Sequence, residues 1–191
     1  TPRPIVDFAV QMMNPEFDHK VIDPACGSGG FLLHALDYLR SKAEANYDPT
    51  EAYLRWHEFA TRKLYGIEIN DQIARVCKMN MIIHDDGHTN VISTDSLENF
   101  EYIQNIKKDF KAGEFDLLLT NPPFGATVKS TEKDYLQNYE LGKNNSRHRN
   151  NQKTEILFIE RCIQFVRRET GRIAIVRSEE HTSELQSRQS I

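Results

Sequence analysis

At 191 residues and 39% hydrophobic content, the chain is long enough for one α/β domain with a real core and too short for two. Lys and Arg number 24 against 28 Asp and Glu, net −4, which excludes a polycation built to coat nucleic acid and confines any such contact to a local patch. Three widely spaced cysteines, Cys26, Cys77 and Cys162, form no CxxC pair, which argues against a disulfide framework or zinc site and fits a reducing compartment. With no apolar run of membrane-spanning length and no signal pattern, a soluble, cytoplasmic protein without membrane attachment is expected.

In chain order, Ile5, Phe8, Ala9 and Met12 recur at helical spacing, predicting a helix begun near Pro4, capped by Thr1 and ended by Asn14-Pro15. A cap at residue 1 without an initiating Met implies that further sequence precedes it. Val21 and Ile22 read as a buried strand, Gly27, Gly29 and Gly30 as a loop of close backbone approach, and Phe31, Leu32, Ala35 and Leu36 as the apolar face of a helix. The loop lacks the third glycine of a dinucleotide fingerprint and the Gly-Lys-Ser/Thr of a phosphate-cradling loop. Asp23, at the strand's carboxyl end, would repel a phosphate and attract a cationic group such as an amino acid's ammonium. Taken alone, the loop also fits a tight turn between strand and helix.

Ser41 to Thr61 carries no motif and reads as a helical excursion. Leu64 to Asn70 is the second strand, ending at Glu68, where a carboxylate either accepts bonds from ribose hydroxyls or is merely solvated. Asn70 or Asp71 caps a helix running through Ile73, Val76, Cys77 and Met81 to His84, and Asp85-Asp86-Gly87-His88 reads as a solvated turn lacking the remaining calcium-loop ligands. Val91 to Leu97 gives a third strand with Asp95 at its end, and Ile103 to Phe110 an amphipathic helix.

Leu117, Leu118 and Leu119 then form a short apolar run that fits a strand buried on both faces. It stops at Asn121-Pro122-Pro123-Phe124, where two prolines leave carbonyl acceptors and few N–H donors beside an aromatic face. Acceptors beside a flat ring suit a planar group bearing an amine, such as a nucleobase. Gly125 to Lys153 is polar and holds the one basic cluster, Lys143, Arg147, His148, Arg149 and Lys153, either a phosphate-backbone contact or a solvated loop. A strongly apolar helix capped by Thr154 and ending near Gly171 leads to a last buried strand, Arg172 to Val176.

Asp23, Glu68, Asp95 and Asn121 thus fall at four strand ends, along one carboxyl edge of a parallel sheet. DPACGSGGFL, GIEIN, TDSL and NPPFG in that order, after TPRPIVDF, resemble the amino-methylating DNA methyltransferases, and in particular the modification subunit of type I restriction-modification systems. The resemblance covers residues 1 to 176. It implies a Rossmann-like methyltransferase fold, a mostly parallel sheet with helices on both faces, incomplete at the C-terminus. It also implies S-adenosylmethionine, with Thr1, Pro2, Arg3, Asp23, Ala25, Cys26, Gly27, Ser28, Gly29, Gly30 and Phe31 around its methionine part. Glu68 would take the ribose hydroxyls and Asp95 the adenine amine, with Ile69 and Ser96 also against the cofactor. Asn121, also beside the cofactor, would hold with Pro122, Pro123 and Phe124 a target adenine flipped from double-stranded DNA. No metal, covalent nucleophile or strong base is then required, so Cys26 reads as a packing residue and His34, His84 and His88 as surface or helix-end residues. A DNA-specificity subunit and a restriction subunit would be partners.

Two other readings stay open: methylation of a protein glutamine or RNA base by the same corner, and a catalytically silent binding module. Residues 177 to 191 are polar and aperiodic and read as an unrelated tail, giving a partial methyltransferase domain over 1–176.

Overall fold

A computed structural model describes residues 1–84, 90–129, 131, 136, 138–144, 147, 148 and 150–177. In chain order the elements are α1 (Arg3–Met13), β1 (Val21–Asp23), α2 (Gly30–Asn46), α3 (Pro49–Lys63), β2 (Leu64–Glu68), α4 (Asp71–Ile83), β3 (Val91–Ser93), α5 (Phe100–Ile106), β4 (Leu117–Thr120), β5 (Thr127–Lys129), β6 (Lys143–Asn144), β7 (Arg147–His148), β8 (Asn151–Lys153), α6 (Thr154–Phe165) and β9 (Arg172–Ile175). Five strands form one parallel sheet in the order β3-β2-β1-β4-β9. The order reverses direction beside β1, so its neighbours β2 and β4 diverge above it and leave a crevice at the carboxyl edge.

Alternation along each strand explains the two-sided burial. Val21, Leu64, Val91, Leu117 and Leu119 join α1, α2, α3 and α4 in one apolar cluster. Ile22, Tyr65, Ile67, Ile92 and Leu118 join Ile103, Phe110, Phe115, Cys162 and Phe165 in another, with α5 and α6. A strand covered on both faces has no polar side to alternate with, which is why these strands read as continuous apolar runs. The expected α/β architecture is therefore present, with helices on both faces.

Several expected boundaries move. Pro2, not Thr1, stands at the N-cap of α1, in extended geometry and without a side-chain cap bond. The helix buries Val6, Ala9, Val10 and Met13 and leaves Ile5, Phe8 and Met12 exposed, because two apolar stripes run side by side and only packing chooses between them. In α4 the buried residues are Ala74, Cys77 and Met81, while Ile73 and Val76 face out. The Asn70 side chain caps that helix as expected. The helix expected after the glycine loop runs on to Asn46 as α2, and the excursion expected over Ser41 to Thr61 divides between the end of α2 and α3, which Asp48 caps.

Asn99 caps α5 by accepting from Tyr102 N–H, so this helix begins three residues earlier than its apolar spacing suggested and leaves Phe110 buried in the following loop. In α6 Thr154 is the first helical residue rather than the cap, and the helix stops at Phe165 because Val166 turns extended and bridges to Phe115. The stretch expected as a polar loop contains the antiparallel pair β5 and β8, a 3-10 turn over Glu140–Gly142 and the small hairpin β6–β7. In the expected basic cluster, Lys143 pairs with Glu140. The side chains at Arg147, His148 and Arg149 lie outside the described residues, as do the turn Asp85–His88 and the tail beyond Arg177. Among the described residues no helix is long and apolar enough to cross a membrane.

Candidate active site

The loop between β1 and α2 is held from β2. Cys26 N–H donates to the Ile67 carbonyl at 3.0 Å, and Gly27 N–H to Glu68 Oε2 at 3.0 Å. Glu68 Oε1 accepts from Asn70 N–H at 2.8 Å, so one carboxylate braces both the glycine loop and the start of α4. Gly27 and Gly29 adopt positive φ, +53° and +93°, which side-chain-bearing residues avoid. A Cβ on Gly29 would stand 2.9 Å from Cys77 Sγ, whereas one on Gly27 or Gly30 would project into open space.

Asp23 is 1% exposed. Its Oδ1 accepts from the Thr120 hydroxyl at 2.7 Å and from Ala25 N–H at 3.0 Å, while Oδ2 takes no bond among the described residues. Burial pushes this carboxyl up from 3.8 to about 7, the two hydrogen bonds oppose that rise, and the nearby Glu68 carboxylate adds to it.

Two cavities meet above the crevice. The smaller, about 250 Å³, is lined by Thr1, Asp23, Cys26, Gly27, Ser28, Gly30 and Phe31. The larger, about 410 Å³, is lined by Glu68, Ile69, Asp95, Ser96 and Pro123. Ala25 and Asn121 belong to both. Asn121 Nδ2 donates to Thr1 Oγ1 at 2.7 Å, which brings the first residue of the chain to the corner after β4. Asp95 Oδ1 accepts from Leu97 N–H at 3.0 Å, and the Ser96 hydroxyl donates to the Pro24 carbonyl. Pro2, Arg3, Gly29, Pro122 and Phe124 line neither cavity: Gly29 packs on Cys77, Pro122 is buried and Phe124 is half-buried. Cys26 packs 3.9 Å from Cys77, sulfur to sulfur, as well as lining the smaller cavity. His34 pairs with Asp7, and His84 ends α4.

Residues not read from the sequence as candidate site residues complete the walls. Val128, Thr154 and Phe158 close the larger cavity. Behind it, the buried Arg161 donates to the Glu98 carbonyl at 2.6 Å, the Leu97 carbonyl at 3.2 Å and the Tyr139 hydroxyl at 2.8 Å, and its guanidinium lies 4.3 Å over the Phe100 ring. Tyr139 in turn donates to the Leu97 carbonyl at 2.8 Å, and burial raises its phenol above the ordinary range. An arginine that serves carbonyls rather than an acid leaves no charge signature in sequence.

The N-6 DNA Methylase family model matches residues 1–191. The EcoEI methylase subunit of a type I restriction enzyme from Escherichia coli is 30% identical over 178 residues, covering 92% of this chain and 31% of that protein. The MjaVII methylase subunit of Methanocaldococcus jannaschii is 34% identical over 126 residues, covering 65% of this chain and 18% of that one. Among solved structures, a modification subunit assigned to a type I restriction enzyme of Vibrio vulnificus YJ016 superposes with a TM-score of 0.68 at 26% identity, covering 92% of this chain and 33% of the other. The chain thus spans between about a fifth and a third of the length of these relatives.

Proposed function

The chain belongs to the N-6 DNA Methylase family, and we propose that it forms the cofactor and catalytic core of a modification subunit that methylates the exocyclic N6 of an adenine flipped from double-stranded DNA. The observation that carries this reading is the junction of the two cavities at Asn121, where the corner proposed for the target amine borders the space proposed for the cofactor. The residues present fit S-adenosylmethionine. The bare backbone at Gly27 and Gly30 leaves room in the smaller cavity for an amino-acid chain, with Asp23 toward its ammonium. Glu68 suits ribose hydroxyls, Ile69 and Pro123 a purine face, and Asp95 an exocyclic amine. When bound, that cofactor supplies a methyl already activated on a sulfonium, so the proposed chemistry calls for no metal.

The chain's own residues have a positioning task. The adenine amine is a poor nucleophile because its lone pair is delocalised into the ring. Asn121 Oδ1 and the Pro122 carbonyl would accept its N–H groups more strongly as the nitrogen pyramidalises, an interaction that grows toward the transition state. Phe124 would hold the ring by stacking. With Asn121 Nδ2 donating to the Thr1 hydroxyl, the amide oxygen is left to accept from the target amine. In the intact protein we place this core beside a DNA-specificity subunit and a restriction subunit, in the cytoplasm where duplex DNA is methylated.

The test is calorimetric titration of S-adenosylmethionine into the chain and into Asp23→Ala, followed by labelled methyl transfer from the intact modification subunit to duplex DNA. Saturable binding lost in the variant, and label on adenine N6 abolished by Asn121→Ala, are expected. A folded chain that ignores the cofactor, or label delivered to protein glutamine or RNA instead of DNA, overturns the reading.

A further inference from the structure

Thr120 is the last residue of β4 and is fully buried, yet it is polar at the end of a run of three leucines. Among the described residues its hydroxyl has a single partner, Asp23 Oδ1, across the β1–β4 pairing and 2.7 Å away. The next residue along the chain is Asn121. One hydroxyl therefore joins the carboxylate that closes the smaller cavity to the corner at which both cavities meet.

We propose that Thr120 is a positioning residue which clamps Oδ1 of Asp23, so that Oδ2 faces the ammonium of the cofactor's amino-acid part, and which carries that constraint directly into Asn121. The inference rests on the reading of the smaller cavity as a cofactor site. Valine would occupy nearly the same volume as threonine here, so the strand itself has no need of the hydroxyl. What the hydroxyl does is local: it is the closer of the two donors to Asp23, and it favours the ionised form of a carboxyl that burial holds neutral up to about pH 7 even with both bonds in place.

The groups facing Asp23 leave Thr120 as the adjustable one. Glu68 at the end of β2 disfavours a second negative charge on Asp23; the Asp23 charge in turn adds to the rise of the Cys26 thiol, which its contact with Cys77 and burial set first, and to that of Cys162 on α6, raised to about 12 by burial first. The Thr1 amino end shares the cavity wall. Asp23 is the carboxyl that a cationic ligand would have to ionise. Binding of an ammonium near pH 7 therefore expels a proton from Asp23, and the size of that release reports how well the carboxylate was held beforehand.

The experiment titrates S-adenosylhomocysteine, which carries the same amino-acid part without the reactive methyl, into the wild-type chain, Thr120→Val, Thr120→Ala and Thr120→Ser between pH 6 and 8. Buffers of different ionisation enthalpy read the protons released, and circular dichroism reads the fold. For the wild type, affinity should fall about tenfold per pH unit below a midpoint near 7. In the valine and alanine variants the midpoint should move up by about one unit, with roughly fivefold weaker binding at pH 7 and more protons released, because a hydrogen bond to a charged group is missing. Serine, which keeps the hydroxyl, should keep the wild-type midpoint, and the alanine–serine comparison decides the matter where valine unfolds the chain. Equal weakening at every pH with an unmoved midpoint assigns Thr120 a merely structural part and overturns the proposal. A wild-type chain that binds nothing at any pH overturns the cofactor reading itself.

Discussion

Asp23 is a carboxyl almost without water, held by two donors on one oxygen, and its titration has a definite sign. The folded chain keeps it protonated to about pH 7, whereas the unfolded chain ionises it near 3.8. Between those values the folded state holds the extra proton, so this group's contribution to stability is full below pH 3.8 and is lost as pH rises through 7. Asp23→Asn escapes that loss. Its melting temperature relative to wild type should climb from pH 5 to pH 7, at roughly 1 kcal/mol per pH unit in urea titrations. A difference independent of pH would contradict the burial argument. Gly29 makes a second prediction at this scale: Gly29→Ala forces both a strained φ and a 2.9 Å clash with Cys77 Sγ, and should destabilise the chain by about 2 kcal/mol in equilibrium unfolding. The candidate-site residues legible in the sequence were those whose chemistry is odd for their place: an acid at a strand end, glycines in a row, an asparagine before prolines. Thr120 escaped because a threonine at the end of a buried strand is unremarkable until its partner, remote in sequence, is known.

At the level of elements, spacing found the helices and misjudged which way they face. α1 and α4 each present two apolar stripes, and the buried one is chosen by neighbours that sequence spacing does not name. Where a cap or a proline marked an end, as with Asn70 and Asn14, the boundary was readable; where the end is set by a tertiary bridge, as at Val166, it was not. The excursion between β4 and α6 was opaque for the same reason, since β5 finds its partner β8 only after the intervening residues return. Its anchor is the Arg161–Tyr139 pair under the Leu97–Glu98 carbonyls. Arg161→Ala should cost about 3 kcal/mol in urea unfolding, by taking the donor from the Glu98 carbonyl and leaving the Leu97 carbonyl to Tyr139 alone, and Tyr139→Phe about 1 kcal/mol. If both substitutions prove neutral, this network does not hold the wall of the larger cavity.

For the whole molecule, the parallel sheet followed from apolar runs alternating with helices, and its carboxyl edge from the strand ends that carry Asp23, Glu68 and Asn121. Strand order was not legible in that pattern, because nothing in a short apolar run says which neighbour it takes. A ligand that spans the crevice binds the folded chain alone. At a hundred times its dissociation constant it adds about 2.7 kcal/mol, so S-adenosylhomocysteine should raise the melting temperature by about 5–10 °C, and by much less in Asp23→Ala. The central position of β1 has a further consequence in time. Its partner β2 lies nearer in sequence than its partner β4, whose Leu117 pairs with Val21 across most of the intervening chain. A ribosome adding about 5–20 residues per second therefore delivers the glycine loop and its Glu68 brace several seconds before Asn121 exists. Half of the crevice waits for the other half, and Asp23 spends that interval without Thr120, its hydroxyl donor in the finished sheet.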